Sequence, residues 1–250
     1  LMGGGDWNDG MNAVGKEGKG ESVWLSMFAS LCLSSLGEVS QLIGETKNSI
    51  RLRKLAEMLK GNIDRFAWET DRYLRAFFDD STPIGSASSE ACKLDVLPQA
   101  FAVFCNMPDK KRVRTALATA YNTLFDRKNG LVKLFDGAFT PQHKTAGYIN
   151  FYPPGVRENA GQYTHAAVWF ALALMQAGFR EQAMEIAKAI CPATRYENGM
   201  RADTALVYRS EPYAPCGAVL SAKGMAGRGG WSLYTGSAGW WLTLLDKLSR

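Results

Sequence analysis

Apolar side chains return at every third or fourth position over most of this 250-residue chain, a period that belongs to helices rather than strands. It predicts helices over residues 22–42, 47–78, 96–106, 110–125, 162–177, 180–190 and 238–248. Polar stretches carrying Gly and Pro separate them at 3–20, 79–93, 126–161 and 192–236. Connections of that length inside a compact domain usually carry function. Within them, 131–134 and 205–208 read as short extended pieces of loop hairpins. Short connections alternating with long ones suggest paired helices wrapped around an axis, with the long loops gathered at one end. The expected fold class is all-α, in one domain or most of one.

Composition narrows the function only a little. At 46% hydrophobic and 21% charged, the chain is ordinary globular protein. The net charge of +5 is dispersed over 51–60, 110–114 and 128–133, which read as solvated helix faces. A mildly positive molecule suits an anionic co-substrate, and no nucleic-acid motif accompanies it. The cysteines, Cys32, Cys92, Cys105, Cys191 and Cys216, are odd in number and far apart, and the chain has only two histidines. That excludes a recognisable zinc site or disulfide framework and points to a reducing, cytoplasmic setting. The most apolar run, 166–176, is shorter than the roughly 20 residues a membrane span needs, so no membrane segment and no signal peptide are expected.

The chemistry gathers near the start of the chain. Residues 3–12 read Gly-Gly-Gly-Asp-Trp-Asn-Asp-Gly-Met-Asn, with two carboxylates, an indole and two amides in one loop. Glycines permit backbone geometry that other residues resist, the Trp7 indole offers an apolar face for a sugar ring, and short polar side chains bond hydroxyls. On the dipeptides alone, Asp6 and Asp9 are turn formers. A polar loop built only for solubility has no use for Trp7.

Three further segments accompany the loop: 18–24, Gly-Lys-Gly-Glu-Ser-Val-Trp; 154–165, Pro-Gly-Val-Arg-Glu-Asn-Ala-Gly-Gln-Tyr-Thr-His; and 227–240, Gly-Arg-Gly-Gly-Trp-Ser-Leu-Tyr-Thr-Gly-Ser-Ala-Gly-Trp. Together, over nearly the whole chain, they resemble glycoside hydrolase family 94, the inverting phosphorylases of β-linked glucosides. The resemblance is nearest to the phosphorylase-like domain of cyclic β-1,2-glucan synthases. It implies an (α/α)6 barrel of which this chain is the C-terminal part. The family's N-terminal β-sandwich and the first half of the barrel are expected upstream, and a homodimer is an expected assembly.

Inversion at a β-glucosidic carbon needs a general acid on the leaving oxygen and a nucleophile on the opposite face. If that nucleophile is phosphate, a second carboxylate would repel it and an anion cradle must take its place. The resemblance makes Asp9 the general acid beside Trp7, in a poorly solvated place where a proton stays available near neutrality, and leaves Asp6 structural. It places Arg157 and Glu158 on the donor glucose, adds Gln162 to the substrate-binding set with Tyr163 behind it, and puts phosphate on His165, Thr235 and Gly236. The glycine-rich run before 238 suits that assignment, because N–H groups at a helix start face an anion. Residues 208–213, Tyr-Arg-Ser-Glu-Pro-Tyr, also resemble the family, but 214–218, Ala-Pro-Cys-Gly-Ala, lack the polar sugar contact that usually follows.

The expected reaction is phosphorolysis of a β-linked gluco-oligosaccharide to α-glucose 1-phosphate, with inorganic phosphate as co-substrate and no metal or organic cofactor. Two alternatives stand beside it. One is an inverting hydrolase with Glu158 as base, and the other is a non-catalytic glycan-binding remnant.

Overall fold

Ser22 closes the first loop and caps the first helix, its hydroxyl accepting the Leu25 N–H at 3.0 Å. Helix α1 runs Val23–Leu42 and α2 Thr46–Phe66, with Gly44 at φ +84° in the turn between them. Asp95 and Asp109 cap the next two, α3 (Val96–Phe104) and α4 (Lys110–Leu124), by accepting the N–H groups of Leu97 and of Lys111 and Arg112. Helices α5 (Thr164–Gln176), α6 (Arg180–Ile190), α7 (Ala202–Tyr208) and α8 (Thr235–Ser249) complete the set. The computed structural model describes residues 1–196 and 202–250.

The helices form two layers. Helices α1, α3, α5 and α8 stand side by side in that order, while α2, α4 and α6 back onto α1, α3 and α5 respectively. Helix α5 is central, and every residue from Ala166 to Leu174 is buried, as a helix apolar all round must be. An aromatic cluster ties the inner layer together: Trp24 on α1 lies 5.3 Å from Phe101 on α3, which lies 5.1 Å from Trp169 on α5. Each such ring withdrawn from water contributes about 1.5–3 kcal/mol. The strands among the described residues are two-residue pairs within the loops, as where Glu21–Ser22 pairs with Ala76–Phe77 and that with Pro83–Ile84.

Several expectations need correcting. The second helix ends at Phe66, not at 78. Residues 67–78 keep a helix-like pattern, but Thr70 at φ +46° turns the chain, and Trp68–Glu69 then pairs back on Arg72–Tyr73. The extended piece expected at 205–208 lies in helix α7, and the part of that long loop at 197–201 lies outside the described residues. Helix α8 starts at Thr235, three residues before its expected start, while Gln162–Tyr163 precedes α5 as a strand paired with Ala218–Val219. Lys60, read as part of a solvated face, is buried and bonds Glu57 at 2.8 Å. Helix α1, at mean hydropathy 1.3, is long and apolar enough to cross a membrane by length and composition, so 166–176 is not the stretch that comes nearest to a span. In the structure it lies against α2 and α3.

Candidate active site

The 3–12 loop is built around Asp6. Its carboxylate is buried, accepts the Asn8 N–H at 3.0 Å and pairs with Arg75, so Asp6 is structural as expected. The Asn8 carbonyl then opens a single 3-10 turn, Asp9–Met11, by accepting the Met11 N–H. Gly10 and Met11 face inward, which leaves Asp9 facing out. Asp9 is exposed, not held in the poorly solvated place expected of it. The inward neighbours take the space beneath the turn, so the Asp9 carboxylate faces solvent.

A second loop backs onto the first. Gly147, at φ +147°, sits where a Cβ would lie 2.3 Å from Asn12 Oδ1 and 2.4 Å from the Gly10 carbonyl, so only glycine permits this approach. It brings the Tyr148 hydroxyl onto the Asp9 carboxylate, and burial together with that carboxylate pushes the phenol's pKa upward.

Glu158 enters from 152–161, a loop pinned by Asn159. The Asn159 amide donates to the carbonyls of Phe139 and Tyr152 at 2.9 and 2.8 Å and accepts the Phe139 N–H at 2.8 Å. Glu158 is buried, and desolvation raises its pKa, with the negative charge of Asp9 adding to the rise and Arg157 opposing it. The two carboxylates therefore share one site. Arg157 Nε lies 3.4 Å from Glu158 Oε2, and its guanidinium stands 5.1 Å from the rings of both Tyr152 and Trp231. Glu158 Oε2 and Arg157 Nε are buried without a hydrogen bond, a state that favours a polar ligand.

Gln162 differs from its neighbours. Its Oε1 accepts the Val132 N–H at 2.9 Å and its Nε2 donates to Thr164 at 3.1 Å, so both ends of the amide are engaged inside the fold. The structure does not bring it to the Glu158 cluster as a free group.

His165, Thr235 and Gly236 meet at the start of α8. A Cβ on Gly236 would lie 3.5 Å from His165 Nδ1, so the ring rests against the first turn of that helix. No side chain caps the turn, and its leading N–H groups have no partner within the helix. Burial lowers the His165 pKa to about 4, which keeps the imidazole neutral near pH 7, and its Nε2 is buried without a hydrogen bond. A neutral ring there offers one N–H, not a charge.

Trp7 joins the two clusters. Its indole meets Tyr163 edge-on at 5.1 Å and His165 at 5.8 Å, and Tyr163 stands 6.2 Å from Trp231. Beneath Trp7, a cavity of about 860 Å³ runs between the inner helices, lined by Trp24, Phe101, Trp169 and other apolar side chains. It contains neither Asp9 nor Glu158, so the polar chemistry lies above it at the loop end. Sequence reasoning missed Tyr148 and Tyr152, which sit in a loop marked only by its length. Asn159 and Trp231 were visible within their segments but had no role assigned.

Comparison with known proteins identifies the family. Residues 1–248 match the model of the glycosyl hydrolase 94 superfamily, catalytic domain. The chain is 37% identical over 240 residues to cyclic beta-(1,2)-glucan synthase NdvB of Rhizobium meliloti, covering 96% of this chain and 8% of that protein. It is 32% identical over 192 residues to 3-O-beta-D-glucopyranosyl-beta-D-glucuronide phosphorylase of Paenibacillus borealis, covering 77% of this chain and 25% of the relative. Solabiose phosphorylase of the same organism is 28% identical, over 94% of this chain and 30% of the relative. The chain thus spans a third or less of each of these relatives. Among solved structures, the GH63 mannosylglycerate hydrolase of Thermus thermophilus in complex with glucose superposes at TM-score 0.57 and 14% identity, over 92% of this chain and 48% of that one. That likeness concerns the helical fold alone. From the family match over nearly its whole length, the chain belongs to the glycosyl hydrolase 94 superfamily.

Proposed function

We propose that this chain carries the acid and phosphate sides of a reversible, inverting phosphorolysis of a β-linked gluco-oligosaccharide. Asp9 protonates the departing glycosidic oxygen while phosphate, held by His165 and the α8 start at Thr235 and Gly236, attacks C1 from the other face. The C1–O bond breaks as the C1–phosphate bond forms, and α-glucose 1-phosphate leaves. Trp7, Arg157 and Glu158 hold the donor glucose, with Gln162 fixing the strand behind them. No cofactor is assigned beyond phosphate as co-substrate. The two helix layers are proposed to be part of an (α/α)6 barrel, and the five free cysteines suit a reducing, cytoplasmic setting.

The observation that carries this reading is the His165 ring, with Nε2 unpartnered, set against the uncapped first turn of α8 and linked through Trp7 to the Asp9 loop. That is a cradle for an anion next to a general acid. The phosphorylases among the relatives support it, and the similarity to a cyclic beta-(1,2)-glucan synthase makes β-1,2-linked glucans the first substrates to try. Hydrolysis remains a second reading because Glu158, with its raised pKa, faces the same site.

The test measures α-glucose 1-phosphate and free glucose from β-1,2-, β-1,3- and β-1,4-linked glucans, with and without phosphate, in the full-length protein. Phosphate-dependent α-glucose 1-phosphate that Asp9→Asn abolishes is the expected result. Glucose released without phosphate would establish the hydrolase, and sugar binding with no turnover would reduce the chain to a glycan-binding module.

A further inference from the structure

We propose that Arg75, a residue with no part in the sugar or phosphate cluster, is the positioning residue for Asp9, holding the acid turn to the starts of two inner helices through a fully buried ion network. The inference rests on the phosphorolysis reading above.

The guanidinium is wholly enclosed, as are the carboxylates of its two partners, Asp6 and Asp95. Its terminal nitrogens donate to Asp6, and one of them also donates to the Ser22 hydroxyl at 3.1 Å. Its Nε lies 3.1 Å from Asp95 Oδ2. Each partner governs a different element. Ser22 caps α1, Asp95 caps α3, and Asp6 holds the Asn8 N–H from which the Asp9–Met11 turn springs. The backbone of Arg75 is fixed as well: its N–H donates to Ile84 at 2.7 Å and its carbonyl accepts from Val23 at 3.1 Å. Gly85, at φ +90°, allows that contact, because a Cβ there would lie 2.5 Å from the Arg75 nitrogen.

A buried ion network is weak evidence for stability, since desolvating the charges offsets most of their attraction. Its value here is geometric. The exposed Asp9 side chain has the Tyr148 hydroxyl facing it, and its backbone is set by the path Arg75 to Asp6 to Asn8. General acid catalysis depends on the carboxyl reaching the leaving oxygen within hydrogen-bond distance. Lysine at position 75 keeps the charge but has one nitrogen, so it cannot hold Asp6, Ser22 and Asp95 together.

The experiment compares two donors in the full-length protein carrying Arg75→Lys or Asp6→Asn. A β-linked oligoglucan needs a proton on its leaving oxygen. β-Glucosyl fluoride does not: phosphate forms the bond to C1 and fluoride departs as the anion. Each variant is expected to lower kcat on the oligoglucan about 10- to 100-fold while changing fluoride turnover and the KM for phosphate less than about threefold. Equal losses on both donors would mean that the variants merely unfold the protein, and an unchanged oligoglucan kcat would mean that the turn needs no guanidinium. Either outcome overturns the proposal. Should the wild-type protein use neither donor with phosphate, the phosphorolysis reading fails, and amide exchange at 8–11 decides the positioning: faster exchange in Arg75→Lys upholds it, unchanged exchange overturns it.

Discussion

Tyr148 shows how one unforeseen side chain can bear on a residue that motif reading finds at once. Its hydroxyl faces the Asp9 carboxylate from a half-open position on the 3-10 turn that follows Gly147. A hydrogen bond to a charged group contributes about 1.5–3 kcal/mol when dry and less where water competes. Tyr148→Phe should therefore lower kcat for phosphorolysis about tenfold by leaving the acid less well aimed, with the KM for phosphate unchanged. Initial rates at varied phosphate check this, and an unaltered kcat would show that the contact has no role in turnover. His165→Asn should do the reverse. The imidazole touches the α8 start and not the Asp9 carboxylate, so the phosphate KM should rise about tenfold or more, ahead of any change in kcat. Asp9, Glu158 and His165 were legible because each sits in a long run of distinctive residues. Tyr148 and Arg75 were not, because an aromatic in a loop or an arginine set between Leu74 and Ala76 carries no mark of its partners until the chain folds.

At the scale of elements, helix existence was legible and helix ends were not. The periodicity at 67–78 was overridden by a tight local hairpin and by pairing with Glu21–Ser22, and the α8 start moved to Thr235, which turned an expected loop into a helix terminus facing His165. The helix starts also carry opposing pH responses. Burial pushes Asp95, the α3 cap, up to about 6, with Arg75 pulling the other way and Asp6 adding to the rise. The folded chain therefore binds that proton more tightly than the unfolded chain, and stability from this group falls as pH rises from about 4 to about 6, by at most about 3 kcal/mol. His165 at the α5 start, lowered to about 4 by burial, binds its proton less tightly when folded. Stability from it rises as pH climbs from about 4 to about 6.5. The two trends offset one another over most of that window. Asn still caps α3, so Asp95→Asn should leave a urea midpoint that climbs with pH between about 4.5 and 6.5 more steeply than in the wild type, whereas His165→Asn should make it decline. Variants that both keep the wild-type profile would show that neither group titrates as its burial requires.

The whole molecule presents apolar surface at both ends of its inner layer. On the α1 edge, Leu42 is 85% exposed and Ile43 70%, with Leu36 and Val39 also open; on α8, Leu242 is 67% exposed and Leu245 stands open beside it. Scattered exposed leucines are ordinary, but contiguous apolar patches larger than a few hundred Å² mark surfaces that something covers. The inner row has four helices, α1, α3, α5 and α8, and α1 and α8 each have one inner-row neighbour among the described helices. The chain spans 48% of the helical structure on which it superposes and 25–30% of the two phosphorylases. Trp240, Thr243 and Lys247 of α8 help line the aromatic cavity between the inner helices, so that helix is one wall of it. A polypeptide of residues 1–250 alone should therefore self-associate in a concentration-dependent way and bind a hydrophobic dye, both measurable by light scattering and fluorescence. Replacing Leu36, Val39, Leu42 and Leu242 with serine should suppress both without lowering helix content by circular dichroism, because these side chains already face water. If the unsubstituted polypeptide stays monomeric and dark to the dye, the edges need no cover, and the acid and anion clusters would have to be judged as a site that this helical array supports by itself.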